Sequence, residues 1–182
     1  MKKFFLFIFL TLGLNFSVNA ETSRIISGDK NAKITIIAYE SLTCSHCADF
    51  HKNVYPELKK NYIDTGLAKI EFRHFPLDVA AFNAAKIAQC SNEQSLEILE
   101  SLYLNQKEWV KGSTVEDINN NLKKHLKNAG FKIDFEKCIN NKKIEDFVLN
   151  DRIEGTKNFD INATPTIIIN NKKFEKSLNY KN

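Results

Sequence analysis

Apolar residues recur along this chain in two rhythms, and the switches between them mark its elements. Ile34-Thr35-Ile36-Ile37-Ala38-Tyr39 follows a Gly28-Asp29 turn signal and Lys33. A β-branched run of this density predicts a buried central strand. Ile25-Ile26, just before the turn, predicts a short edge strand. Residues 68–75 (AKIEFRHF) alternate apolar with polar and predict a second long strand. Between the two long strands, Phe50, Val54, Tyr55 and Leu58 fall on one face of a helix that begins after Cys44. Pro56 predicts a kink or a break within it, because proline removes a helix hydrogen bond. Strand, helix and strand at this spacing make a βαβ unit with its strands parallel.

From Asp78 to about Phe159 the period is helical throughout. Helices are predicted near 78–90, 92–107, 114–129, 133–139 and 141–158, with breaks at Gly112-Ser113 and Gly130. Ser113 and Thr114 followed by Glu116 resemble a capped helix start. Thr166-Ile167-Ile168-Ile169 then predicts a strand, Asn170-Asn171 a two-residue turn, and Lys172-Lys173-Phe174 the returning strand. Neither repeats nor a low-complexity linker interrupt the chain. The layout divides into a βαβ part over 21–77, a helical insertion over 78–140, and a helix with a hairpin over 141–182.

The first segment follows a different pattern. Lys2 and Lys3 precede an apolar run from Phe4 to Leu14, and Val18-Asn19-Ala20 presents small residues after it. This is the arrangement of a signal peptide over residues 1–20, with cleavage expected after Ala20 and export as the consequence. The apolar run is too short for a comfortable membrane span, which needs ~20 apolar residues. The formal charge of the 182 residues is +4. Loss of Lys2 and Lys3 would bring it nearer balance. The lysines are scattered and not interleaved with aromatics, so nothing points to nucleic acid.

Export changes what the four cysteines imply. In an oxidising compartment they default to two disulfides, Cys44 and Cys47 being close in sequence and Cys90 and Cys138 far apart. Cys44-Ser45-His46-Cys47 lies where the first helix should begin. There the Cys44 sulfur would meet unpaired backbone N–H groups and the positive end of the helix dipole, which favour thiolate over thiol. His46 adds a donor. A stabilised thiolate leaves readily, so the reduced pair is favoured and the disulfide is oxidising. Cys47, one turn along, should be shielded. Cys44 is therefore expected to exchange with substrates and Cys47 to resolve the mixed disulfide. Ala163-Thr164-Pro165-Thr166 places a proline at the head of a core strand, where it cannot donate to the ladder. A cis Thr164–Pro165 bond beside Cys44 would give it a purpose, leaving the Thr164 backbone free to pair with an extended substrate.

These residues resemble a known family. Cys44-Ser45-His46-Cys47 after the Ile34–Glu40 run, the helical insertion, and Ala163-Thr164-Pro165 before Thr166–Asn170 are similar to the DsbA-like thiol:disulfide oxidoreductases of the thioredoxin-fold superfamily. The similarity runs from about Gly28 to Phe174. It implies an α/β thioredoxin-like fold with an inserted helical domain, Cys44 and Cys47 as the redox pair, and Thr164 with cis-Pro165 as the substrate-binding loop. Ser45 and His46 would tune the thiolate. The resemblance also implies a periplasmic enzyme that needs no cofactor or metal. Such an enzyme acts on folding exported proteins and is recharged by a quinone-linked membrane reoxidase (DsbB-like).

Two departures stand out. Relatives often carry a buried acid six residues before the first cysteine, to move protons for the resolving one, and this chain has Ala38 there. Glu40, on the same strand face, is a candidate substitute but is read first as a strand-end surface charge. Relatives also close with a helix after the hairpin, and the sequence stops where it would begin, so the expectation is a missing C-terminal helix: either the chain is a fragment or the sheet lacks cover on one face. Cys90 and Cys138 fall in the helical insertion, as a second pair does in some relatives. A structural disulfide is the preferred reading, with two buried free thiols as the alternative. His51, His74 and His125 read as surface, strand-end and solvated residues respectively, and Trp109 as packing within the insertion. The expected function is a disulfide-donating oxidase. An isomerase or reductase of the same fold, or an exported copper chaperone, is the alternative. Copper carriers commonly recruit methionine, and Met1 is the only one present.

Overall fold

The structure, a computed structural model, describes residues 22–179, so the expected signal segment lies outside the described residues. Five strands form one mixed sheet in the order β1-β3-β2-β4-β5. Strands β2 (Ile34–Glu40) and β3 (Ala68–His74) are parallel, with Ile36 opposite Ile70 and Ala38 opposite Phe72. Strand β1 (Ile25–Ser27) lies antiparallel to β3 at one edge. Strand β4 (Thr166–Ile169) lies antiparallel to β2, and β5 (Lys172–Lys173) closes a hairpin on it. Asn170 and Asn171 both take positive φ, the conformation a two-residue hairpin turn needs to match strand twist.

The helix after β2 breaks where the proline expectation put it. Helix α1 (Ser45–Asn53) ends at Val54, and Pro56 sits in the first turn of α2 (Tyr55–Leu58), where its missing N–H is not needed. A single π turn over Lys59–Ile63 follows. The insertion begins with α3 (Val79–Cys90), whose N-terminus Asp78 caps by accepting from the Ala81 amide. After a short 3-10 turn come α4 (Ser95–Leu104), α5 (Gln106–Trp109), α6 (Val115–Asn128) and α7 (Phe135–Ile139). Helix α6 starts with a full capping box, but Asp117, not Glu116, reaches back to Thr114. Helix α8 (Lys142–Phe159) returns the chain to the sheet.

Side chains alternate across the sheet and so divide the core. Ile36, Ala38, Ile70 and Phe72 face α1 and the insertion, where Ile87, Leu99, Leu102, Trp109 and Leu122 complete one apolar cluster. Ile37, Tyr39 and Ile168 face the other way, with Phe159 and Ile161 at the end of α8. Helix α8 also lies close to Tyr39 at Gly155, where any Cβ would come within 2.7 Å of the tyrosine ring. Cys90 and Cys138 are disulfide-bonded, tying α3 to α7. Closing a loop of 48 residues in the unfolded chain is worth about 4 kcal/mol in the chain-entropy account. Among the described residues no helix follows β5. On the α1 face of β2 and β4 an apolar groove of about 310 Å³ stays open, lined by Ile34, Phe50, Val54, Ile167 and Ile169 among others.

Candidate active site

The site forms where β2 ends and α1 begins. Cys44 is the N-cap of α1, with extended backbone, and its carbonyl accepts from the Ala48 amide. The sulfur therefore overhangs the first turn, and the amides of His46 and Cys47 point towards it. From the opposite side comes Thr164, held by a cis bond to Pro165 at the head of β4. Its carbonyl lies 3.3 Å from the Cys44 sulfur, and its hydroxyl has no other hydrogen-bond partner. A thiol at Cys44 donates to that carbonyl, whereas a thiolate would instead accept from that hydroxyl. The folded chain thus brings together Cys44, Cys47, Thr164 and Pro165 across 120 residues of sequence.

The two sulfurs differ sharply in environment. Cys44 is partly exposed and Cys47 is 0% exposed. The Cys44 pKa is lowered to about 5, chiefly because the Cys47 thiol donates a hydrogen bond to its sulfur. Thr164 and the amides of Cys47 and His46 help, while burial opposes the shift. The Cys47 thiol is pushed far up, first by burial, then by its own bond to Cys44 and by the charge of Glu40. Only the Ser41 amide pulls the other way. Ser45 and His46 are both exposed, and His46 acts on the sulfur through its backbone N–H.

Behind Cys47 lies a buried polar cluster, where Glu40 and His51 were expected at the surface. Glu40 is 3% exposed and His51 2%, so neither is a surface residue. The α1 face that carries Cys47 also carries His51 one turn on, and this face packs into the core, which draws the imidazole inside. Its Nε2 lies 2.8 Å from a Glu40 oxygen, and the ring stacks on Tyr103 of α4 with centroids 4.1 Å apart. Burial raises the Glu40 pKa, opposed by His51. His74 is also buried, bonded to Gln89, and its pKa is lowered to about 4 by desolvation. His125 is largely buried as well and pairs with Ser101. Trp109 packs within the insertion as expected, donating to the Leu102 carbonyl.

The strand-to-helix loop is held from both sides. Thr43 donates to Asp78, and the Ser41 hydroxyl accepts from the Leu77 amide. Gln106, at the start of α5, donates to the carbonyls of both Leu42 and Cys44. No local signal marked Gln106, since its role depends on how the insertion folds back. No group of three His, Cys, Asp or Glu side chains converges as a metal site among the described residues.

A thioredoxin family model matches residues 20–182. The chain is similar to Wolbachia pipientis alpha-DsbA1, with 33% identity and a TM-score of 0.77 over 87% of this chain and 85% of that one. BdbD of Bacillus subtilis shares the fold, with a TM-score of 0.73 at 22% identity over 87% of each chain. A Rickettsia bellii protein, named provisionally as a protein-disulfide oxidoreductase, is 27% identical over 82% of this chain. The chain spans 58% of that relative's length, and 54% of a similarly named Rickettsia conorii protein.

Proposed function

The chain belongs to the thioredoxin family, among its DsbA-like members, and from that premise we propose that it is a thiol:disulfide oxidoreductase acting as an oxidase. The observation that carries the reading is the contrast between an acidic, reachable Cys44 and a buried, weakly acidic Cys47. In the oxidised protein a client thiolate attacks the Cys44 sulfur. A new S–S bond forms, the Cys44–Cys47 bond breaks, and its electron pair passes to Cys47, which takes up a proton. A second client thiolate then attacks the client sulfur of the mixed disulfide, and Cys44 leaves as a thiolate. The client has lost two electrons and the protein pair has gained them. A leaving group of low pKa favours that last step.

The Thr164 backbone, opposite the sulfur at the head of β4, offers an extended client segment a strand edge to pair with. The pattern of residues 1–20 supports export, and hence action in the periplasm on folding exported proteins. Turnover then needs a reoxidase, and a quinone-linked membrane protein of DsbB type fits that need. Equilibration with glutathione buffers tests the direction. The account expects a Cys44/Cys47 potential more oxidising than about −180 mV. A value near about −270 mV would make the protein a reductase instead. Tight stoichiometric copper uptake by the reduced pair would favour metal delivery.

A further inference from the structure

Gln106 is 8% exposed, and its side-chain nitrogen lies 2.9 Å from the Leu42 carbonyl and 2.9 Å from the Cys44 carbonyl. One amide thus directs both N–H bonds into the loop that carries the nucleophile. The donor itself is tightly placed. Trp109, three residues on, is fully buried and bonded to the Leu102 carbonyl. Tyr103, three residues before, is stacked on His51 of α1. Asn105 closes α4 by donating to the Ser101 carbonyl. A side chain anchored on both flanks gives up little freedom on bonding, so it imposes a geometry on the loop.

The loop, by contrast, depends on outside help. Between Glu40 and Ser45 the backbone makes a single turn, the Cys44 amide donating to the Ser41 carbonyl at 3.0 Å, and the Cys44 carbonyl has only the Ala48 amide, at 3.2 Å, besides Gln106. The orientation of the Cys44 peptide decides whether its sulfur overhangs the first turn of α1 or swings aside. The orientation also sets the distance to Thr164, which lies just before a different strand, β4.

We propose that Gln106 is a positioning residue through which the helical insertion holds Cys44 over the mouth of α1. The inference rests on the redox role proposed above and gives the insertion a part in the chemistry: it fixes the peptide that presents the reactive sulfur. Charge is not involved, because a neutral amide binds two neutral carbonyls. The effect is geometric and passes through Cys44.

The test compares the reduced parent with Gln106→Met, which keeps the length and bulk but removes both donors. Leu122→Ala serves as control. It opens a cavity in α6, where Leu122 is fully buried, and destabilises the insertion while both Gln106 donors remain in place. The readouts are the pH dependence of thiolate absorbance and of iodoacetamide alkylation at Cys44. Gln106→Met is expected to move the Cys44 midpoint up by at least about one unit, which slows alkylation near pH 5 about fivefold. Leu122→Ala is expected to keep the parental midpoint. An unchanged midpoint in Gln106→Met, or an equal shift in the control, would overturn the inference. Should the Met variant not fold, Gln106→Leu, which is also neutral and lacks both donors, carries the same expectation. A parent with no acidic thiolate would instead remove the oxidase reading, and the inference with it.

Discussion

Cys44 and Cys47 sit one turn apart at the start of α1, yet the front and back of that turn are opposite environments. At the front, backbone amides and a neighbouring thiol donate to a partly exposed sulfur, and the charge is favoured. At the back, a fully buried sulfur faces the carboxyl group of Glu40, and the charge is opposed. Residue type contributes nothing to the difference, which arises from the amphipathic turn of α1 and from what each side is packed against. The two histidines of the same helix repeat the contrast: His46 is exposed, whereas His51 lies in the core against Glu40, Tyr55, Phe72 and Tyr103.

The largest expected effect separates the sulfurs by role. Cys44→Ser abolishes thiol exchange with the fold retained, whereas Cys47→Ser forms mixed disulfides that persist, as mass spectrometry of acid-quenched reactions would show. A Cys47→Ser protein that released its adducts as fast as the parent would erase the distinction. Next comes stability at the two histidines. His51→Ala leaves Glu40 without its partner in the core and is expected to lose about 3–5 kcal/mol in urea unfolding. His46→Ala, on the exposed side, should stay within about 0.5 kcal/mol. The smallest effect is on tuning. Thr164→Val removes one donor to the thiolate and raises the Cys44 pKa, but by less than Cys47→Ala, which removes the largest contributor.

Much of this was legible in the chain before any coordinates. The β-branched run, the alternating strand and the helical block appear close to where the hydrophobic periods put them, because each is fixed by local pattern and by which face must be buried. The N-cap place of Cys44 followed from the switch between those periods. Glu40 and His51 were misplaced for a reason the same logic explains. A single polar residue at a strand end, or within a helix, reads as exposed unless its partner is known, and the partner here lies 11 residues away across a turn. Gln106 was invisible because its meaning depends on α4 and α5 folding back over the loop, a contact of 62 and 64 residues' separation. The capping partner in α6 was off by one residue, since either acid could reach Thr114 in sequence and only Asp117 does so in space.

The depressed Cys44 pKa also sets a pH window. Its thiolate stabilises the folded reduced protein fully above the ordinary cysteine value of 9.0, and that contribution is lost as pH falls through about 5. Ultraviolet titration of the reduced protein, with the Cys90–Cys138 disulfide left intact, tests this most directly. One thiolate should appear with a midpoint near 5, and Cys47 should add none through neutral pH. A first midpoint in the ordinary range of free cysteine, or two thiolates rising together, would contradict the claim that the mouth of α1 singles out Cys44.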